Sequence, residues 1–409
     1  MTNRRRARFG WGLALALAGC AHSTTGLATV SGPSPQAAVC DLHAHVTMAS
    51  TLGLARGGTD SPLTDDPHDR LGNQLSVSAL RAAGVKVVVA TIWPPPGRPE
   101  FEEVERQLKK LRAYAEAHAG LTVVRSAAEA RRALAAGSIA LFPGIEGAAS
   151  IARLEDVERL YAAGVRVVGL VHFFDNALAD AADDQLGSLG HITNGASFGL
   201  TELGRAAVRR MVELGMVVDV EHASPRAVRD VLDVLEPLGA PAIASHVGAD
   251  FDRPHTLDDE NALRLAHLGG LVGIGVYREA RLVPTPNDER FEGFVEGTCD
   301  EVVSRWLHFA HLVGETHVVL GSDFNSVIDR AGPGGGCPRG LPSVADLPVL
   351  FDALAARGVA RSTLEESGLR FLELVERLEA SAARPGPRGY VFEWQHPGGF
   401  KNDEHARSR

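Results

Sequence analysis

Seven residues of this chain combine reactive chemistry with a repeated setting. His43, His45, Glu146, His172, His222, His246 and Asp323 stand at or near the ends of apolar runs, in DLHAH, GIEGA, GLVHF, VDVEH, AIASH and VLGSDF. Imidazoles and carboxylates are common zinc ligands, and they also move protons near neutral pH. His43 and His45 are two apart, so on a strand they project to the same side and can clasp one cation. Glu146 ends the run ALFPGIEG, where a carboxylate is costly to bury unless it is paired or bound to metal. His222 follows MVVDVE and His246 follows PAIAS. Taken singly, each histidine reads as a satisfied core residue. Five of the chain's 16 histidines at strand ends together point to a metallohydrolase.

Positioning these residues calls for repeated strand–helix units. Apolar runs bounded by Gly or Pro predict eight strands, at 38–43, 85–92, 139–145, 165–172, 216–221, 241–246, 270–276 and 317–322. Amphipathic stretches at 99–118, 154–164, 201–215 and 224–239 lie between them, and several end in the glycine of a helix C-cap. Strands of Val, Ile, Leu and Ala without polar alternation belong to a parallel sheet covered on both faces. Eight such units close most economically into an α/β fold of the (β/α)8 TIM-barrel type. A doubly wound open sheet is the rival, but the glycine-rich phosphate fingerprint that would support it is absent. Long insertions at 46–75, 173–200, 277–295 and 324–345 are expected as loops on the face where a barrel builds its pocket.

The balance of 41 basic to 51 acidic residues, a net charge of −10 without a basic stripe, excludes nucleic acid and favours small-molecule ligands. Arg4, Arg5, Arg6 and Arg8 precede the apolar run WGLALALAG, a signal peptide too short to span a bilayer. Leu17-Ala18-Gly19-Cys20 resembles the lipobox of bacterial lipoproteins, which makes a lipid on Cys20 the expected and only link to a membrane. Alanine at position 21 suggests the outer membrane, on its periplasmic side or at the cell surface. Residues 21–37 read as a flexible tether, 38–381 as the barrel and 382–409 as an irregular tail. Cys40 reads as a core residue, whereas Cys299 and Cys337 both fall on the catalytic side, where an oxidising compartment permits a bridge and the sequence leaves open whether it forms.

The order of DLHAHVTM, ATIWPPP, IEGAAS, LVHFFDNALAD, GLTELGRAAVRRMVELGMVVDVEHAS, IASHVGADFDRPHTLDDE and LGSDFN resembles the renal or membrane dipeptidase family of zinc metallopeptidases, a branch of the amidohydrolase superfamily. The similarity runs from about residue 38 to about residue 380. It implies a site for two Zn²⁺ or other divalent ions bridged by Glu146, with His43 and His45 on the first ion and His222 and His246 on the second. It also implies that His172 steadies the oxyanion, Asp323 moves protons, Arg253 receives the substrate's free carboxylate and Tyr277 is a pocket aromatic. Trp93 resembles a family pocket wall. The implied substrate is a small dipeptide, and a homodimer is left open because related barrels commonly pair.

Two positions depart from the family pattern. His45 stands where an aspartate is usual, which makes the first ion's site less anionic, and Asn325 stands where relatives often carry another aspartate. Two alternatives therefore stay open: the same barrel acting on N-acyl amino acids, cyclic amides or lactams, and a surface binding protein without turnover. Elsewhere, His308 and His311 read as core or interface residues of one helix, and His191 as either pocket or surface.

Overall fold

The computed structural model describes residues 37–48, 74–95, 100–182, 197–248, 257–277, 280–284, 289–294, 298–326 and 336–382. All of them lie in the compact unit from Ser31 to Arg409. The signal peptide, Cys20, the tether to residue 36, His191, Arg253 and the tail beyond 382 fall outside the described residues.

In chain order the strands are β1 (Val39–Ala44), β2 (Val85–Ile92), β3 (Leu121–Val123), β4 (Ile139–Ile145), β5 (Val167–Gly169), β6 (Val217–Asp219), β7 (Ile243–Val247), β8 (Leu271–Ile274), β9 (Ala280–Pro284), β10 (Glu289–Phe294) and β11 (Val318–Leu320). The main helices are α1 (Val77–Ala82), α2 (Glu100–Ala117), α3 (Ala127–Ala135), α4 (Glu155–Ala163), α5 (Glu202–Glu213), α6 (Pro225–Leu235), α7 (Asp259–His267), α8 (Cys299–Val313), α9 (Leu347–Ala356), α10 (Arg361–Glu365) and α11 (Ser367–Ala382). Eight parallel strands form a closed ring in the order β1, β2, β4, β5, β6, β7, β8, β11 and back to β1, which is the predicted (β/α)8 barrel.

Two elements were not expected from the sequence. The short strand β3 pairs with the first half of β4, Leu121 opposite Ile139, and the insertion after β8 holds an antiparallel hairpin of β9 and β10. Three residues of LTV carry too little periodicity to announce a strand. The later strands are shorter than predicted because their last residues leave the ladder to present side chains. His172, His222 and Asp323 all lie beyond the strand that leads to them.

Local chemistry explains the framework around the site. At α6, Ser224 accepts from Ala227 N–H as N-cap, Pro225 occupies the first turn, and Val228, Val231, Leu232 and Leu235 supply a buried stripe. Thr201 caps α5 in the same way, and Gly164 ends α4 in the left-handed conformation at φ 107°. The last helix closes the far end of the barrel: Gly368 N–H donates to Ala38 O at 2.6 Å, and Ser367 Oγ accepts from Cys40 N at 2.9 Å. Among the described residues no helix is long and apolar enough to cross a membrane.

Candidate active site

The seven residues singled out in the sequence converge at the C-terminal mouth of the ring, where the strand ends of a (β/α)8 barrel gather their chemistry. Glu146, just past β4, is the centre. Its Oε1 lies 3.0 Å from His222 Nε2 and 3.5 Å from the Nε2 atoms of His43, His172 and His246, while its Oε2 lies 3.5 Å from His45 Nε2. His43 and His45 bring their Nε2 atoms within 3.2 Å of each other, and His222 and His246 within 3.0 Å. Asp323 Oδ1 joins the first pair, 3.1 Å from His45 Nε2. His43, His45, His246, Glu146 and Asp323 are nearly inaccessible, whereas His172 and His222 keep 15% and 11% of their side-chain surface, so the site opens on their side.

These spacings suit divalent cations. Two nitrogens each 2.0–2.1 Å from one ion at a tetrahedral angle lie ~3.3 Å apart, close to both imidazole pairs. Four of these donors, His43, His246, Glu146 and Asp323, also have the protonation a cation requires. Burial, reinforced by the neighbouring imidazoles, holds His43 well below the ordinary histidine range and brings His246 to about 4, leaving neutral rings. Burial alone would raise Glu146 and Asp323, but the surrounding imidazoles outweigh it and keep both carboxylates ionised, below their ordinary range. Burial likewise opposes a charge on His222, yet its bond to Glu146 and the charges of Glu146, Glu221 and Asp219 hold its pKa above the ordinary value.

His172 belongs to the cluster but differs from the ligand pairs. Trp93, at the end of β2, donates its indole N–H to His172 Nδ1 at 2.9 Å. An indole is a donor only, so Nδ1 must be the acceptor, and the neutral ring carries its proton on Nε2, which faces Glu146. Burial pushes the pKa of His172 down to about 3, which keeps this donor form across the neutral range. Trp93 is held in turn: Gln107 Nε2 donates to Trp93 O at 2.7 Å, and Thr47 Oγ donates to Gln107 Oε1 at 2.8 Å. The family resemblance offers Trp93 only as a pocket wall, because a hydrogen bond between residues 79 apart leaves no local pattern.

The loop HFFDNALAD beyond β5 braces His172 through its own side chains. Asn176 Nδ2 donates to Leu170 O at 2.7 Å, Asp175 Oδ1 accepts from Ala181 N, and Asp180 accepts from Ser197 and Ser224. Gly147, at φ 81°, sits where a Cβ would come within 3.1 Å of His172 Cβ, so the IEG glycine permits β4 and β5 to deliver Glu146 and His172 side by side.

Two buried aspartates below the mouth went unnoticed in the sequence. Asp41 Oδ1 accepts from His43 N and, across the barrel seam, from Ser322 N at 2.8 Å. Asp219 Oδ1 accepts from Glu221 N and, on the neighbouring strand, from Ser245 N at 3.0 Å. Backbone geometry adds a further sign of function: the described non-glycine residues with positive φ are His222 (64°), Asp323 (55°) and Asn325 (62°), all at the site or beside it. Such conformations cost about 1–3 kcal/mol each and persist where the surroundings enforce them.

Other expectations resolve as follows. Tyr277 is buried and its hydroxyl donates to His246 O at 2.8 Å, which props the end of β7 beside the site. Asn325 pairs with Gln74, its Oδ1 accepting from Gln74 N at 2.8 Å, and so fixes the loop after Asp323. His308 is part-exposed and pairs with Asp259 at 2.8 Å. Cys299 and Cys337 form a disulfide that ties the first residue of α8 to the loop before α9, and Cys40 is a buried free thiol.

A closed parallel barrel with an imidazole–carboxylate cluster at its mouth defines a class, the barrels built to hold metal ions over their strand ends. Comparison with known proteins narrows it. The profile of the membrane dipeptidase family, peptidase family M19, matches residues 36–384, and the chain belongs to that family. An uncharacterized dipeptidase of Schizosaccharomyces pombe is 36% identical over 62% of this chain and 56% of its own length. The dipeptidase tcpJ of Claviceps purpurea is 27% identical over 70% of this chain and 61% of its own. The chain thus spans less than two thirds of the length of these curated relatives. Among solved structures, the probable dipeptidase PvdM of Pseudomonas aeruginosa shares the fold at a TM-score of 0.67 with 19% identity, covering 84% of this chain and 96% of that one.

Proposed function

We propose that the protein is a binuclear metal-dependent dipeptidase, with zinc as the leading metal, that hydrolyses the amide of small dipeptides bearing a free C-terminal carboxylate. One observation carries this reading: a single buried carboxylate, Glu146, reaches both imidazole pairs. His43 and His45 would hold one ion, His222 and His246 the other, with Glu146 shared. Bound there, divalent ions polarise a carbonyl and make water nucleophilic near neutral pH.

The chain's own residues supply the remaining chemistry. Asp323 is ionised and stands at the first pair, 3.1 Å from His45, where it can take the proton of the attacking water and return it to the leaving amine. His172, its Nε2–H fixed by Trp93, donates to the carbonyl oxygen as that oxygen becomes negative. Substrate would enter on the exposed side of His172 and His222. Arg253, which the family resemblance assigns to the substrate carboxylate, lies outside the described residues. The lipid anchor on Cys20, and with it a place on the outer membrane, rests on the lipobox alone. No observation favours the acyl-amino-acid or lactam alternative, and the complete ligand set argues against a barrel without turnover.

The test is metal analysis combined with dipeptide hydrolysis. Wild-type protein should hold two ions per chain and cleave dipeptides faster than N-acyl amino acids, and Glu146→Ala should lose bound metal together with activity. Hydrolysis that survives Glu146→Ala would refute the reading.

A further inference from the structure

We infer that Ser245 is a positioning residue shared by the two metal sites, its one hydroxyl setting the ring orientation and tautomer of a ligand histidine in each. This rests on the two-ion reading above and assigns a residue to which that reading gives no role. Ser245 lies in β7 and is buried. Its Oγ is 3.2 Å from Nδ1 of His43, in the first imidazole pair, and 2.8 Å from Nδ1 of His246, in the second. The Asp219 side chain accepts from the backbone N–H of Ser245 at 3.0 Å.

Counting protons shows what the hydroxyl can do. A hydroxyl has one proton and two acceptor lone pairs. With its own proton turned away from both rings, Ser245 Oγ can accept one N–H from each histidine. Each Nδ1 must then carry the hydrogen and donate it, so each Nε2 offers its lone pair to the mouth of the barrel. Both contacts of Oγ are then used, and both rings are held in the tautomer that keeps N–H away from where an ion belongs. Metal-ligating histidines characteristically donate their second N–H in this way, and loss of such an acceptor typically costs about 10–100-fold in metal affinity. Here one acceptor serves two ligands that would hold different ions, so the two sites share one support.

The crowding around Ser245 shows that the register is enforced. A Cβ at Gly273 would stand 1.9 Å from Ser245 O, and one at Gly321 1.7 Å from the same atom, so β8 and the residue just after β11 are glycine where β7 must come this close. Nδ1 of His45, by contrast, is buried without a hydrogen-bond partner among the described residues.

The experiment is stepwise Co²⁺ titration of metal-free wild type, Ser245→Ala and Ser245→Cys, read by absorption and by bound metal, alongside ¹⁵N-imidazole NMR of the metal-free proteins. Wild type should bind two ions, with two buried histidines showing the Nδ1–H tautomer. Ser245→Ala should weaken both ions together, by about 10–100-fold each, and lose both tautomer signals. Ser245→Cys keeps the volume but offers only a weak acceptor, so it should weaken both sites to a smaller degree, and it serves as the variant if the alanine form does not fold. Weakening of one ion alone, or of neither, in a variant that keeps the wild-type circular dichroism would overturn the inference. A wild type that binds fewer than two ions would instead defeat the two-ion reading itself.

Discussion

The two imidazole pairs look alike but are not supported alike. On the β6–β7 side, His222 bonds Glu146 at 3.0 Å and His246 Nδ1 lies 2.8 Å from Ser245 Oγ, above Asp219, which joins the two strands. On the β1–β11 side, His43 has the longer bond to Ser245, above Asp41, which joins that seam, but His45 Nδ1 has no partner among the described residues. The shared plan is a buried aspartate that accepts backbone N–H groups from its own strand end and the next. The difference lies in the last ligand of the first pair. His45 stands where the family resemblance expects an aspartate, and the carboxylate nearest it is that of Asp323, at 3.1 Å. The β6–β7 half is therefore the firmer half, and on the proposed reading the β1–β11 half is where the proton carrier and the more labile ion would meet.

The largest effect should come from breaking the role that only the β1–β11 half performs. Asp323→Asn keeps the size and a carbonyl oxygen for His45 but removes the base. kcat should fall by roughly 10²–10⁴ with KM and metal content little changed. Loss of metal in parallel with activity would show that Asp323 is a structural ligand and not the proton carrier.

A smaller loss is expected at Trp93, which tests whether His172, placed beside the firm half, is a donor and not a third ligand. Trp93→Phe keeps the aromatic wall and deletes the N–H that fixes the ring. kcat should fall about 10–100-fold, the size typical of lost support behind an active-site imidazole. Bound metal should stay at the wild-type level while the His172 ¹⁵N signal shifts away from a pure Nε2–H form. A gain in metal affinity would mean that the freed Nε2 had become a ligand, and an unchanged tautomer signal would remove Trp93 from the account.

How much of this could be read from the chain follows the same division. The ligands were legible because each ends an apolar run, and strands buried on both faces announce themselves by composition, as VVVATI and ALFPGI do. The motif order gave the fold and the site together. The supports were not legible: Asp41 and Asp219 look like ordinary strand residues, and Ser245 is one of many serines until β1, β6 and β7 are brought together. The indole bond from Trp93 to His172 joins residues 79 positions apart and leaves no local pattern. Positive φ at His222 and Asp323 is likewise invisible, since neither is glycine or asparagine.

The comparison sharpens further at position 45. His45→Asp restores the anion usual in the family and lowers the charge of the first site by one. The first ion should bind at least about tenfold more tightly, with the second nearly unchanged, because the added charge lies against only one of them. Chelator competition, read as two separate release steps, measures this directly. In the wild-type protein the more labile step should be the β1–β11 ion, and equal lability of both ions would erase the proposed asymmetry.

The smallest effect concerns the metal-free protein and should involve both halves equally. His43, His172 and His246 are depressed by burial, the last two to about 3 and about 4, so between roughly pH 4 and 6.5 the unfolded chain binds protons that the folded one refuses. Their contribution to stability is complete above pH 6.5 and is lost as pH falls. Asp41 and Asp219 act in the opposite sense: burial pushes both up to about 6, so the folded chain holds protons that the unfolded one releases between about pH 4 and 6. His222, held above its ordinary value, is protonated in both states below about pH 6.5 and drops out there, so between pH 6.5 and 5 three depressed histidines outnumber two raised aspartates and unfolding takes up protons. Thermal melts in chelator from pH 7 to pH 5 should therefore show a falling midpoint, and saturating metal, which requires neutral imidazoles, should delay the fall. A midpoint that rises on acidification would mean that the two aspartates outweigh the histidines, and that the imidazoles are not held neutral in the folded site.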